Sequence, residues 1–343
     1  MRLEFLKRLC EAPGVPGAEE PVRELFQAEV AALVDEIKTD ALGNLLLHKK
    51  GPGPRVLLDA HLDEVGFMVA GFEGPFLRVV PLGGMESRLV YGQRLLVWGR
   101  RKVTAVVASR PPHLGKEEKA PAIEEMLLDT GLPESELRGV VAVGDPVTFP
   151  PFFEETSEAV WAKALDDRVG LFVMAEALKR ANPRVDLYLS ASVQEETGLR
   201  GAQALAQALA VEVVVALEGT LASDLPGTPA HERLACCGQG PELRLSDARF
   251  LADRHLTLGL AALAEKHQIP HQVVVKKKGG TNASVLQVAG GAVRAAALSV
   301  PVRYLHAPVS LAYKKDIAAA IELVVAFLEH PEDVLAYRWT YPA

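Results

Sequence analysis

The sequence predicts an α/β protein: a mixed sheet sandwiched by helices, with a small β-barrel or β-sandwich inserted into the chain. Two observations carry that prediction. Through residues 1–64 and again through 154–343, short apolar runs suited to buried strands alternate with segments whose apolar residues recur at helical spacing. Between them, residues 65–153 read as short runs broken by Gly and Pro at roughly 8–12-residue intervals, the texture of a small β unit. The expected organisation is a discontinuous α/β domain (1–64 with 154–343) and a β-rich insert (65–153). A length of 343 residues suits two such units and buries large cores without cross-links.

Leu3, Leu6 and Leu9 open a helix that Pro13-Gly14-Val15-Pro16-Gly17 breaks. A second helix follows from Ala18, with Val22, Leu25, Phe26, Val30, Leu33 and Val34 on one face. A strand ends at the turn Ala41-Leu42-Gly43-Asn44 and resumes over 45–49, and the apolar run 55–60 suits a buried central strand. In the insert, strands are expected over 76–80, 94–98 and 103–109, with a short helix over 122–130. Phe152-Phe153 and Trp98 are expected in the insert's own core, with an interface as the alternative. Thereafter helices are expected over 168–179, 201–210, 250–268 and 317–329, and strands over 186–193, 211–217, 271–276 and 293–300.

Composition excludes several function classes. Lys and Arg number 37 against 44 Asp and Glu, a net −7, which argues against a protein built to grip a phosphate backbone, so no nucleic-acid partner is expected. The basic run Lys276-Lys277-Lys278 reads as a solvated strand end. Cys10, Cys236 and Cys237 form no spaced framework and read as thiols of a reducing compartment. The N-terminus lacks the apolar core of a signal peptide, and no stretch approaches roughly 18 uncharged apolar residues. A cytoplasmic protein without membrane association is expected.

In open α/β sheets ligands sit beyond the carboxyl ends of strands. His61 and Asp63 follow one predicted strand, Glu195-Glu196 a second, Glu218 a third and His306 a fourth, while Asp166-Asp167 precede a helix. Imidazoles and carboxylates on one rim suit divalent ions of the zinc type, and a carboxylate that bridges two ions would let them activate water. Each residue also has a structural reading: His61 as a hydrogen-bonded histidine, Glu195-Glu196 as a solvated helix start, Asp166-Asp167 as a helix cap, Glu218 as an exposed strand end.

The strings Leu58-Asp59-Ala60-His61-Leu62-Asp63-Glu64-Val65-Gly66-Phe67, Lys163-Ala164-Leu165-Asp166-Asp167-Arg168, Val193-Gln194-Glu195-Glu196-Thr197-Gly198-Leu199-Arg200-Gly201-Ala202 and Arg303-Tyr304-Leu305-His306 occur in this order. Together with Pro111-Pro112-His113-Leu114 and Gly144-Asp145-Pro146-Val147, they closely resemble the glutamyl/leucyl aminopeptidase family of cocatalytic metallopeptidases, along nearly the whole chain. The resemblance implies two divalent metal ions, Zn or Co: one held by His61, Asp166 and Glu218, the other by Asp166, Glu196 and His306. It implies release of N-terminal residues from short peptides by a hydroxide bridging the two ions, with Glu195 as general base and Asp63 orienting His61. It also implies a homo-oligomer associating through the insert, as a dimer or a dodecamer. Two positions depart from the family pattern: Glu218 stands where many relatives have Asp, and Gly279-Gly280-Thr281-Asn282-Ala283 carries Asn282 in place of an Asp.

Rival readings are a di-metal deacylase or carboxypeptidase on a related scaffold, a scaffold whose site has decayed, and a glycoside hydrolase. The last requires two carboxyls about 5–5.5 Å apart and leaves His61 and His306 without a task.

Overall fold

The computed structural model describes residues 2–109, 113 and 120–340, so the Pro111-Pro112-His113-Leu114 motif lies outside them except for His113. Strands β1 (Glu36–Thr39) and β2 (Leu45–Lys49) form an antiparallel hairpin, and β3 (Arg55–His61) follows. Next come β4 (Gly66–Glu73), β5 (Phe76–Leu82), β6 (Arg94–Trp98), β7 (Lys102–Val107), β8 (Leu127–Asp129) and β9 (Pro146–Thr148). The remaining strands are β10 (Phe153–Glu155), β11 (Ala159–Ala162), β12 (Asp186–Ser192), β13 (Val213–Leu221), β14 (Glu242–Ser246), β15 (Gln272–Val275), β16 (Arg294–Arg303) and β17 (Ser310–Tyr313).

Eleven of these strands make one mixed sheet in the order β1-β2-β12-β3-β13-β16-β17-β11-β10, with β14 beside β16 and β15 beside β14. Its centre, β12-β3-β13-β16, is parallel, so Ser192, His61, Leu221 and Arg303 all end at one edge. Both faces of β3 are covered, as its unbroken apolar run requires. Val56, Leu58 and Ala60 pack with the helices Leu165–Arg180 and Lys314–Glu329, while Leu57 packs with the helix Arg200–Ala208 on the opposite side.

The other six strands close into an antiparallel barrel, β4-β5-β8-β7-β6-β9. Alternation makes it: along β7, Val103, Ala105 and Val107 point inward while Lys102, Thr104 and Val106 face out. The mixed α/β class and the inserted β unit expected from sequence are both present, the latter as a barrel rather than a sandwich.

Three local expectations need correction. Over 122–130 there is no helix but a 3-10 turn (Ile123–Glu125) followed by β8. Its apolar residues have helical spacing, but β8 pairs with β5 and β7, and such remote partners are invisible to a periodicity argument. The helix expected over 250–268 starts later, at Arg254, because Asp253 caps it by accepting the Leu256 N–H at 2.7 Å. Phe153 joins β10 and packs on the main core, and Phe152 is exposed, so neither fills the barrel. Trp98 is half-buried on β6, where its indole N–H donates to Thr148 Oγ1 at 2.9 Å.

A buried ionic cluster ties the N-terminal segment to the centre of the sheet. Lys163 Nζ donates to both Glu64 carboxylate oxygens at 2.6 Å and to the Ala12 carbonyl at 3.1 Å. Arg168 reaches the Leu9 and Leu62 carbonyls and, at 3.4 Å, Glu64. All three side chains are at most 3% exposed. Removing one member leaves charge buried without full compensation. Lys163→Met is therefore expected to lower stability by about 3 kcal/mol in urea unfolding; an unchanged midpoint would count against this account.

Candidate metal centre

The parallel strand ends deliver the site. His61 closes β3, two residues before Asp63, and its ring is 2% exposed. Its Nδ1 donates to the Asp63 carbonyl at 3.1 Å and lies 3.4 Å from Asp63 Oδ1, which leaves Nε2 facing Asp166 Oδ1 at 3.2 Å. His306, after β16, repeats the pattern: Nδ1 donates to the Gly84 carbonyl at 2.6 Å, and Nε2 lies 3.5 Å from Asp166 Oδ2 and 3.1 Å from Glu196 Oε1. One carboxylate thus spans two imidazoles, an oxygen to each.

Asp166 and its neighbour divide the work. At Asp166 and Asp167 the backbone is non-helical and their peptide bond is cis. Asp167 is fully buried and accepts the N–H groups of Gly170 and Gly219 at 2.9 Å and of His61 at 3.1 Å. The cap reading therefore describes Asp167, while Asp166 turns to the histidines. Gly170 has to be glycine: a Cβ there would stand 2.4 Å from Asp167 Oδ1 and 2.7 Å from the Leu217 carbonyl.

Asp63 does more than touch His61. Its two oxygens accept the N–H groups of Glu195 and Glu196, each at 2.9 Å. The turn after β12 is thereby fixed, and Glu195 and Glu196 face the cavity instead of forming a solvated helix start. Donor atoms of His61, Glu195 and Glu196 lie within 4.8 Å of one another, and so do those of Asp166, Glu196 and His306. Glu218 lines the same cavity but stands apart from both groups, with Oε2 3.9 Å from Arg244 Nη2.

Charges follow from this crowding. Burial raises the carboxyls of Glu195 and Glu196 above the usual range. Burial likewise lifts Glu218 to about 7, against the pull of Arg244. Asp166 goes the other way, because contacts with His306 and His61 outweigh its burial. Burial pulls His306 down, but Asp166 and Glu196 outweigh it and lift the ring to about 11.

The cavity measures about 400 Å³ and extends from these acids to Thr220, Arg244, Lys276 and Lys278. Lys276 corrects the reading of its run as a solvated strand end. It is 8% exposed and pairs with Glu242 Oε2 at 2.6 Å, whereas Lys277 and Lys278 are exposed. Arg244, between Glu242 and Asp247 at 2.8 Å each, is a site neighbour that the sequence reading missed; an Arg in a buried strand was the available signal. The Gly84 carbonyl was not readable at all, since backbone atoms leave no mark in a sequence. Asn282, the departure from the family's Asp, is buried beneath the site, where Nδ2 donates to Asp59 Oδ2 and Ser192 Oγ at 2.8 Å. An amide there gives a buried carboxylate a donor that a second acid would have to protonate to supply.

The donor set fits divalent cations. Two imidazoles present Nε2 inward, three carboxylates converge, and on the wall of the same cavity buried Glu218 Oε1 has no hydrogen-bond partner. Such a cluster of N and O donors is short of positive charge. No helix among the described residues is long and apolar enough to cross a membrane.

Comparison with known proteins identifies the family. Residues 43–323 match the model of the M42 glutamyl aminopeptidase family. The lysyl aminopeptidase of Pyrococcus furiosus is 34% identical, over 95% of this chain and 96% of its own. An aminopeptidase from the archaeon Desulfurococcus kamchatkensis superposes with a TM-score of 0.93 at 33% identity, covering 99% of this chain and 98% of that one. The TET1 peptidase of Pyrococcus horikoshii, which can assemble into a tetrahedron or a large octahedral shell, superposes with a TM-score of 0.86 at 30% identity over 95% of this chain and 99% of its own. The chain belongs to the M42 glutamyl aminopeptidase family, and it is an aminopeptidase.

Proposed function

We propose that the cavity holds two divalent cations, Zn or Co, and that the protein releases N-terminal residues from short peptides with Glu195 as the group that moves the proton. Asp166 carries this reading: its oxygens face different imidazoles, Oδ1 at 3.2 Å from His61 and Oδ2 at 3.5 Å from His306. His61, Asp166 and Glu218 would hold one cation, and Asp166, Glu196 and His306 the other. When bound, the pair supplies Lewis-acid polarisation of the scissile carbonyl and lowers the pKa of water.

The chain's own groups do the rest. The Nδ1 of each histidine is tied to a carbonyl, which turns Nε2 into the cavity, where it becomes a donor to a cation once its proton is displaced. Glu195 stands on the cavity wall, and its high proton affinity suits a group that takes the attacking water's proton and returns it to the leaving amine. Association into dimers, and from them a dodecamer, is part of the proposal, in keeping with the assemblies of the Pyrococcus horikoshii relative.

Three measurements test it. Glu195→Gln should retain both cations yet lose about 100- to 10,000-fold in kcat on a free-terminus peptide, while N-acetylated peptide resists the unmodified protein. Substantial turnover by that variant, or equal cleavage of the acetylated peptide, sinks the reading. Cations must also displace protons from His61, whose acidic neighbours hold its ring protonated against burial, from His306, at about 11, and in part from Glu218, at about 7, so binding should strengthen as pH rises from 6 to 8. Titration calorimetry of metal-free protein with Zn at pH 7, in buffers of different ionisation enthalpy, should report at least about two protons released per chain; heats independent of buffer would contradict the donor assignment. Light scattering should return a mass of at least two chains.

A further inference from the structure

In the turn that presents Glu195 the carbonyls of Val193, Gln194 and Glu195 accept backbone N–H groups from Gly198 to Gly201, but the N–H groups are held by side chains. Its consecutive N–H groups are accepted one after another: Val193 by Asn44 Oδ1 at 2.9 Å, Gln194 by Glu19 Oε1 at 3.2 Å, and Glu195 and Glu196 by Asp63 at 2.9 Å. Gln194 is left-handed, with φ 55°, a conformation that a residue with a side chain adopts only where its surroundings impose it.

Glu19 is the unexpected member. It occupies the N-cap position of the helix Glu20–Val30, yet its side chain makes no cap bond to that helix. It is 3% exposed, and its Oε1 accepts from Gly17 N at 2.9 Å as well as from Gln194 N. A carboxylate diverted from its own helix and buried against a remote turn is costly unless that turn requires it. Asn44 is likewise oriented, since its amide nitrogen is committed to Asp40 Oδ2 at 2.7 Å and the Gly201 carbonyl at 3.1 Å.

We infer that Glu19, supported by Asn44, is a positioning residue for catalysis: by holding the Gln194 N–H it fixes the left-handed step that aims Glu195 into the cavity. This rests on the reading of Glu195 as proton carrier.

The test compares Glu19→Leu, which removes the acceptor, with Glu19→Gln, which retains an oxygen at the same reach, each alone and combined with Glu195→Gln. With both cations bound, Glu19→Leu should lose about 10- to 100-fold in kcat with KM within about twofold, and Glu19→Gln should stay within about threefold of the unmodified protein. In the Glu195→Gln background Glu19→Leu should cost nothing further, because the group it positions is already gone. Full kcat in Glu19→Leu, equal damage in Glu19→Gln, or an additive loss in the double variant overturns the inference. If Glu19→Leu does not fold, Glu19→Asp withdraws the carboxylate by one methylene, and unchanged kcat there is equally fatal. The underlying reading fails separately: an active Glu195→Gln defeats it whatever Glu19 does, whereas an inactive Glu195→Gln beside a fully active Glu19→Leu defeats only the positioning role.

Discussion

Asp166 keeps its charge where a lone carboxylate would lose it. Burial alone would push it toward the neutral acid, but His61 faces one of its oxygens and His306 the other, and together they outweigh the desolvation. The two histidines come from opposite ends of the chain. That the three meet is the condition for everything else at this edge of the sheet, because the remaining acids, Glu195, Glu196 and Glu218, are arranged around the same space. Each of those acids is held against its preference for water, and the strain is the ordinary cost of a site built to receive positive charge.

A second theme is the use of buried carboxylates as clamps on backbone. Past the last ladder bond of a strand, N–H groups need new partners, and a buried unpaired one costs about 1–3 kcal/mol. Asp63 satisfies two of them in the turn after β12, and Asp167 satisfies three, at the end of β3, in the helix Leu165–Arg180 and on β13 beyond its pairing with β3. Asp59, one layer further down, is satisfied by Ser190, Ser192 and Asn282. These acids place the reactive ones without sharing their chemistry.

The inserted unit reaches the site through a backbone carbonyl. Gly84 lies just after β5, and its oxygen takes the His306 Nδ1–H. Gly83 beside it has φ 90°, and a Cβ there would lie 2.7 Å from Val65 Cγ1 and 3.2 Å from Glu196 Cβ, so the approach admits only glycine. An insert whose core is separate from that of the sheet thus fixes the orientation of one histidine.

Much of the architecture was legible in the sequence because it depends on local pattern. Apolar runs such as 55–60 must be buried on both faces, helical spacing marks the helices, and Gly and Pro punctuate the insert. His61, Asp63, Glu195, Glu196, Glu218 and His306 could be nominated because each follows a strand expected from the sequence, and strand ends of a parallel sheet gather at one edge, although β13 runs on past Glu218 to Leu221. Tertiary structure decided what local pattern cannot carry. The strand at 127–129 exists because β5 and β7 flank it. Lys276 is buried because Glu242 stands opposite. Which of two adjacent aspartates faces the histidines depends on N–H groups contributed by Gly170, Gly219 and His61. Composition and spacing fix the kinds of group available along a chain, whereas their charge and direction depend on neighbours a hundred residues away, whose distances only the folded chain defines.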